Sequence, residues 1–385
     1  MNTPLTYVVF GATGDLAQRK IMPALCALSA THDLTVIAFS RRPWSDEEYR
    51  AFIAPSLKRF DAAAREKFVE QVRYAQGTFD DQASFANLKE KISGDVIFHL
   101  AVQPQFHLPI IDGLGTAGLR GKLLIEKPFG EGSESAQMLE QKIEQYFSPD
   151  SIYRVDHYLG KEGLDAVLAA RRSDDAFENL LGAAHVAKVA CRIEESLGIE
   201  GRGEFYDPVG ALRDVGQNHL LEMLATLIAE LPARDGDLPQ ARAQALASLS
   251  PRATHAARGQ YAGYRAEEGV APDSQTETYF RVSAASALPR WQDVELVLEA
   301  GKALKQKKSE IEIIYTDGTA RVFDMEAPRT RDAYEVLIGA AMNADRARFA
   351  SAPEVVAAWR FAEAAADLLR QAPLRVYERG SERGA

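Results

Sequence analysis

The sequence predicts an α/β chain whose first part is a doubly wound parallel sheet, and three observations carry that prediction. Short apolar β-rich runs recur at Tyr7–Phe10, Thr35–Phe39, Asp95–Val102 and Lys122–Glu126, separated by charged stretches of helical period. The first run passes directly into a glycine turn, Gly11-Ala12-Thr13-Gly14-Asp15-Leu16-Ala17. After about residue 150 the alternation stops, so the 385 residues divide into residues 1–152 and a second domain of different build, 153–385.

The strand-turn-helix order at the start gives the glycines specific work. Gly11 permits the tight turn, Gly14 lets the backbone approach a ligand, and Ala17 lets the helix pack on the strand. Backbone N–H groups from Gly11 through Thr13, Gly14, Asp15 and Leu16 then face a pyrophosphate at the helix N-terminus, as in a Rossmann-like dinucleotide-binding domain. The second run ends at Ser40-Arg41-Arg42, where such a fold reads the adenosine ribose. An acidic residue there favours NAD; two guanidinium forks suit a 2′-phosphate, so the cofactor is read as NADP, with NAD the second choice.

Trp44 to Lys91 is charged and helix-periodic, with Phe52, Leu57, Phe60, Phe68 and Val72 facing inward, and carries no chemistry. His99 lies within the third apolar run, on a strand face, and is expected to be a buried, hydrogen-bonded structural histidine. The fourth run ends in Glu126-Lys127-Pro128-Phe129-Gly130. Lys127 emerges at the carboxyl end of a strand, where cofactor and substrate meet.

The second domain opens on Arg154-Val155-Asp156-His157-Tyr158-Leu159-Gly160-Lys161-Glu162, which packs five ionisable side chains and a tyrosine into a functional-looking stretch. On one helix His157 and Lys161, four apart, share a face and present two cationic donors to a phosphate. Asp156 is suited to orienting an imidazole base. A polar, glycine-rich loop follows at Glu194–Gly203, and then a helix from Gln217 through Leu231 with His219 at its polar head, a short distance after Asp214.

Composition excludes some partners. A net charge of −10 without a concentrated Lys/Arg tract argues against nucleic acid and anionic membranes. Two distant cysteines, Cys26 and Cys191, form neither a disulfide framework nor a metal-ligand pattern, which fits a reducing cytoplasm. No basic, cleavable leader is seen at Met1–Thr6, and no apolar run approaches a membrane span.

Taken together the motifs resemble the glucose-6-phosphate dehydrogenase family. GATGDLAQRK at 11–20, SRRPWSDEE at 40–48, EKPFG at 126–130, RVDHYLGKE at 154–162, GIEGRGEFYD at 198–207, GALRDVGQNHLLE at 210–222, RGQYAGY at 258–264, PDSQTET at 272–278 and AGKALKQKKSEI at 300–311 occur in the family's order. The resemblance implies that His219 is the general base at C1 of the sugar, with Asp156 its carboxylate partner, while hydride passes to the nicotinamide and a lactone forms. It further implies phosphate binding by His157, Tyr158 and Lys161, a second basic pair at Lys302 and Lys307, contacts of Glu195 and Asp214 to sugar hydroxyls, and lysines Lys20 and Lys127 that bridge cofactor and sugar.

It also implies a C-terminal α+β domain with a mainly antiparallel sheet, here reduced relative to the family. After Ile311–Tyr315 a turn at Thr316-Asp317-Gly318 and one strand, Thr319–Met325, lead straight to the closing helices. In the family the missing strands carry the subunit interface and, in some members, a second structural NADP site; neither transfers to this chain, and a homo-oligomer stays an open expectation. Glucose 6-phosphate is the expected substrate; another hexose 6-phosphate and a catalytically idle sugar-phosphate sensor are the alternatives.

Overall fold

Leu5–Phe10 (β1), Leu34–Ser40 (β2), Val72–Gln76 (β3), Asp95–Leu100 (β4), Lys122–Glu126 (β5) and Ile152–Val155 (β6) form one sheet in the order β3-β2-β1-β4-β5-β6, every neighbour parallel. Five of the six residues of β1 are buried, the near-continuous burial that a parallel sheet covered on both faces demands. Strand order reverses between β1 and β4, the point where open α/β sheets bind ligands at their carboxyl ends. The computed structural model describes residues 4–328 and 330–384. They fall into two compact units, Met1–Gly160 with Arg331–Ala352, and Lys161–Thr330 with Pro353–Ala385.

The stretch read as wholly helical contains the strand β3 between the helices Ala62–Glu70 and Gln82–Lys91. Its burial alternates over Val72, Arg73 and Tyr74, with Arg73 exposed, as suits the edge of a sheet. Five residues flanked closely by helices are too short for the two-residue period to stand out. Of the expected inward residues, Leu57, Phe68 and Val72 are fully buried, whereas Phe52 and Phe60 are half-buried against the same core.

Residues 331–352, which the sequence reading put in the second domain, fold with the first unit. Leu337, Ile338 and Ala341 of the helix Ala333–Met342 are buried in one cluster with Met22 and Leu25 of the helix Met22–Leu28.

The second unit is built on Val186–Glu194 (β7), Leu249–Tyr261 (β8), Tyr279–Ser286 (β9), Glu295–Gly301 (β10), Lys308–Tyr315 (β11), Ala320–Asp324 (β12) and Leu374–Tyr377 (β13), ordered β12-β11-β7-β10-β9-β8-β13. Antiparallel pairings dominate; only β7 with β10 and β8 with β13 run parallel. Against this sheet lies a π-helical segment, Leu212–Leu220, that continues as the α-helix Leu221–Ile228, all eight of whose residues are buried. At Gly216 a Cβ would stand 2.6 Å from Phe280 Cζ, so only glycine lets the π-helical segment seat this closely on β9. The helix stops at Ile228 rather than Leu231: Ala229 is extended at ψ 145°, and the chain then meets Pro232. Among the described residues no helix is long and apolar enough to cross a membrane.

Candidate active site

The glycine turn after β1 is constrained from below. Gly11 has φ +77°, and a Cβ there would lie 2.4 Å from Ala101 O and 2.8 Å from Val102 Cγ1. The Gly11 and Ala12 N–H groups donate to Phe39 O at 3.2 and 3.3 Å, and Gly14 N–H donates to Gly11 O at 2.9 Å, which tie the loop to β2 and to itself. Thr13 Oγ1 and Ser40 Oγ are 2.9 Å apart, so two predicted cofactor residues share a hydrogen bond. Ala17 is fully buried, as close packing of helix on strand requires. Asp15 pairs with Arg19 at 2.6 Å on the surface, and Leu16 is half-buried. Arg41 is exposed with its guanidinium 5.9 Å from the Phe106 ring centre, and Arg42 stacks 4.7 Å over Trp44. The Gly11, Ala12 and Gly14 N–H groups are bonded within the protein, so the fit to a dinucleotide rests on the turn's position after β1 and on the exposed Arg41 guanidinium, whose fork suits a 2′-phosphate.

Two lysines of the first unit are placed by an anchor that the sequence reading did not identify. His99, fully buried, accepts or donates at Nδ1 with Tyr7 OH at 2.8 Å and at Nε2 with Glu126 Oε1 at 2.8 Å. Tyr334 OH donates to the other oxygen of Glu126 at 3.1 Å. His99 is thus the structural histidine expected of a strand face, and Glu126 is fixed at the end of β5, immediately before Lys127. The Lys127–Pro128 peptide is cis, and Lys127 is half-buried. Lys20, in the π-helical turn Ala17–Ile21, pairs at 2.8 Å with Asp332, which also caps the helix Ala333–Met342 through Tyr334 N–H. Burial opposes ionisation of Asp332, but Lys20 and that N–H outweigh it and hold its carboxyl below the usual range.

The stretch 154–162 is not one helix. β6 ends at Val155, His157–Gly160 is a 3₁₀ turn, and Lys161 is extended (φ −82°, ψ 134°) as the cap of the helix Glu162–Ser173. The shared helical face expected for His157 and Lys161 therefore does not exist, because the extended Lys161 breaks the helical register. Asp156 is 2% exposed, and its Oδ1 accepts from Tyr158 N–H at 2.9 Å. Tyr158 is buried with its ring edge-on to half-buried His157. Arg154 serves the core, its guanidinium held by Glu140 through Nε at 2.7 Å and through Nη2.

In the second unit the predicted polar residues gather in two ionic groups. Lys302 Nζ lies 2.7 Å from Glu195 Oε2, 3.4 Å from Asp214 Oδ2 and 5.2 Å from the Tyr206 ring centre, with the lysine side chain 6% exposed. Its backbone is pinned by Thr278 O, which accepts from Lys302 N–H at 2.9 Å, and by Tyr377 OH, which donates to Lys302 O at 2.7 Å. Lys307 does not share this group. It pairs at 2.6 Å with Glu326, which also binds the ammonium of buried Lys161. Glu326 has no motif around it and only the folded chain brings it into the site.

His219 is 3% exposed near the end of the π-helical segment, and its N–H donates to Asn218 Oδ1 at 2.7 Å. The N-terminal end of that segment is capped by Glu277 of PDSQTET: Leu212 N–H donates to its Oε1 at 3.0 Å and Ala211 N–H to its carbonyl at 3.0 Å. π-Helical winding matters here, because i→i+5 hydrogen bonds bring residues five apart to one side. Asp214 and His219 are five apart, whereas on an α-helix of about 3.6 residues per turn they face well apart.

The family model described as the glucose-6-phosphate dehydrogenase NAD binding domain matches residues 8–165, and that of the glucose-6-phosphate dehydrogenase C-terminal domain matches residues 168–331. The glucose-6-phosphate 1-dehydrogenase of Chlamydia muridarum is 31% identical over 365 residues, covering 84% of this chain and 72% of the relative. A solved glucose-6-phosphate dehydrogenase in complex with its substrate glucose 6-phosphate superposes with a TM-score of 0.92 at 26% identity, covering 100% of this chain and 96% of that one. The glucose-6-phosphate 1-dehydrogenase of Mycobacterium avium gives a TM-score of 0.89 at 29% identity, covering 99% and 94%. With both family models matched and the glycine cradle and buried histidine in place, the chain belongs to the glucose-6-phosphate dehydrogenase family, oxidoreductases that oxidise glucose 6-phosphate with NADP.

Proposed function

We propose that this chain oxidises glucose 6-phosphate at C1 to the lactone, with His219 as the general base and Asp156 as the carboxylate that supports the imidazolium. The observation that supports the reading is the π-helical segment that carries both Asp214 and buried His219, with Lys302 held by Asp214 and Glu195. Carboxylates at Glu195 and Asp214 accept from sugar hydroxyls, and the Lys302 ammonium donates; together they fix the ring so that its C1 hydroxyl meets the base. Lys161, Lys307, His157 and Tyr158 take the phosphate, whose charge matches theirs.

When bound, NADP accepts the hydride. The residues that hold it are the turn Gly11–Leu16, with Ser40 and Arg41 on the adenosine side and Lys20 and Lys127 toward the sugar. The lack of room for a Cβ at Gly11, with Ala101 O 2.4 Å away, supports a turn packed tightly against the chain that follows β4.

The test is reduction of NADP followed at the reduced-nicotinamide absorbance, with glucose 6-phosphate and a panel of other hexose 6-phosphates, on the natural chain and on His219→Asn. The reading expects glucose 6-phosphate to be the best substrate and kcat to fall by roughly 10²–10⁴ in the variant, with sugar-phosphate binding retained. Full activity in His219→Asn overturns the assignment of the base, and turnover confined to another hexose phosphate overturns the substrate.

A further inference from the structure

We propose that Glu326 is a built-in competitor for the substrate's phosphate: its carboxylate occupies the ammonium pair Lys161–Lys307, and a phosphate must displace it to bind. The inference rests on the assignment of Lys161 and Lys307 as phosphate ligands.

Glu326 lies in the turn that ends β12. Its N–H donates to Asp324 Oδ1 at 2.7 Å, and the preceding Met325 N–H donates to Ser309 O at 2.8 Å, so the turn is pinned to β11. From this base each carboxylate oxygen takes one ammonium, Oε1 that of Lys161 and Oε2 that of Lys307, the latter at 2.6 Å. The two cations differ in setting: the Lys161 side chain is 3% exposed, that of Lys307 68%. A bidentate anion thus spans a buried and an exposed lysine, which is the contact pattern a phosphate uses. Burial raises the cost of ionising Glu326, but the two ammonium groups outweigh it and hold its carboxyl below the usual range. It is therefore charged throughout neutral pH.

A phosphate monoester carries nearly two charges and three acceptor oxygens, against one charge and two oxygens on Glu326. It wins the exchange, whereas a neutral sugar gains nothing there. A tethered carboxylate competes at a high effective concentration and so weakens binding of every anion while favouring the most highly charged. In this chain the carboxylate comes from the turn after β12, outside the motifs that carry the two lysines.

The experiment is steady-state titration of glucose 6-phosphate at saturating NADP with Glu326→Gln, together with inorganic phosphate as competitive inhibitor. The proposal expects KM and the phosphate inhibition constant both to fall, by roughly tenfold for one charge removed at contact distance near the surface. A KM that is unchanged or higher overturns it, since Glu326 then only props the lysines. Lys161→Met separates the phosphate-binding role of the lysine from the competitor role of Glu326. If it leaves KM unchanged, the phosphate assignment itself fails; if it raises KM while Glu326→Gln does not lower it, only the competitor role fails. The thermal shift given by inorganic phosphate, larger in Glu326→Gln than in the natural chain, reads the same effect without turnover.

Discussion

In the first unit the candidate cofactor site is a main-chain turn: Gly11 leaves no room for a Cβ at the end of β1, its N–H and that of Ala12 bond back to β2, and one hydroxyl pair, Thr13 with Ser40, adds to that tie. In the second unit the candidate site is built from ionic side chains, each held by a partner, Lys302 by Glu195 and Asp214, Lys161 and Lys307 by Glu326. A main-chain cradle tolerates change in the side chains around it but not a Cβ at its closest point. The Lys302 group fails when its cation goes, because two carboxylates are then left uncompensated, whereas loss of Glu326 leaves the Lys161–Lys307 pair to the substrate's phosphate.

That contrast can be tested, first where it predicts the largest loss. Lys302→Met leaves the Glu195 and Asp214 carboxylates facing each other without their buried cation, and kcat/KM for glucose 6-phosphate should fall by roughly two to three orders of magnitude. Steady-state kinetics checks it; a fall below about fivefold would show the group to be structural only.

Acid should find the first unit through His107, which is 1% exposed and whose pKa burial lowers to about 4 against a hydrogen bond with the Val102 backbone. The folded pKa lies below the unfolded value of 6.5, so the unfolded chain takes up the proton first. Stability is complete above pH 6.5 and falls as pH drops from there toward about 4, the His107 share reaching on the order of 3 kcal/mol. Urea unfolding at neutral and acid pH, with His107→Leu as the flattened comparison, measures that share.

The smallest effect sharpens the contrast from the cofactor side. On the proposed role of Arg41, a guanidinium fork for the 2′-phosphate, Arg41→Ala should raise KM for NADP roughly tenfold and leave NAD unchanged. Equal losses for both cofactors would place Arg41 in the cradle itself.

Much of the first unit was legible before folding. Apolar runs and a glycine turn are local signals, and β1, β2, β4 and β5 stand where those runs predict them. β3 was hidden by its brevity among helices. The Glu126 anchor was hidden because its partners Tyr7, His99 and Tyr334 are spread over more than three hundred residues. In the second unit the family motifs named Lys302 and Lys307 as a pair, yet sequence proximity says nothing about which carboxylate each lysine faces. Only the folded sheet separates them, and Glu326, in the turn after β12, has no sequence signal of its own. The π-helical winding that aligns Asp214 with His219 was equally invisible, since apolar periodicity in a short window does not distinguish five residues from three and four.

The helix Ala333–Met342 closes the core over Met22 and Leu25, yet it emerges from the ribosome only after all of Lys161–Thr330 has been made. At about 5–20 residues per second the nascent first unit waits roughly 10–30 s with that apolar face uncovered. During synthesis it is the amino-terminal portion, finished first in sequence, whose apolar surface stays uncovered longest.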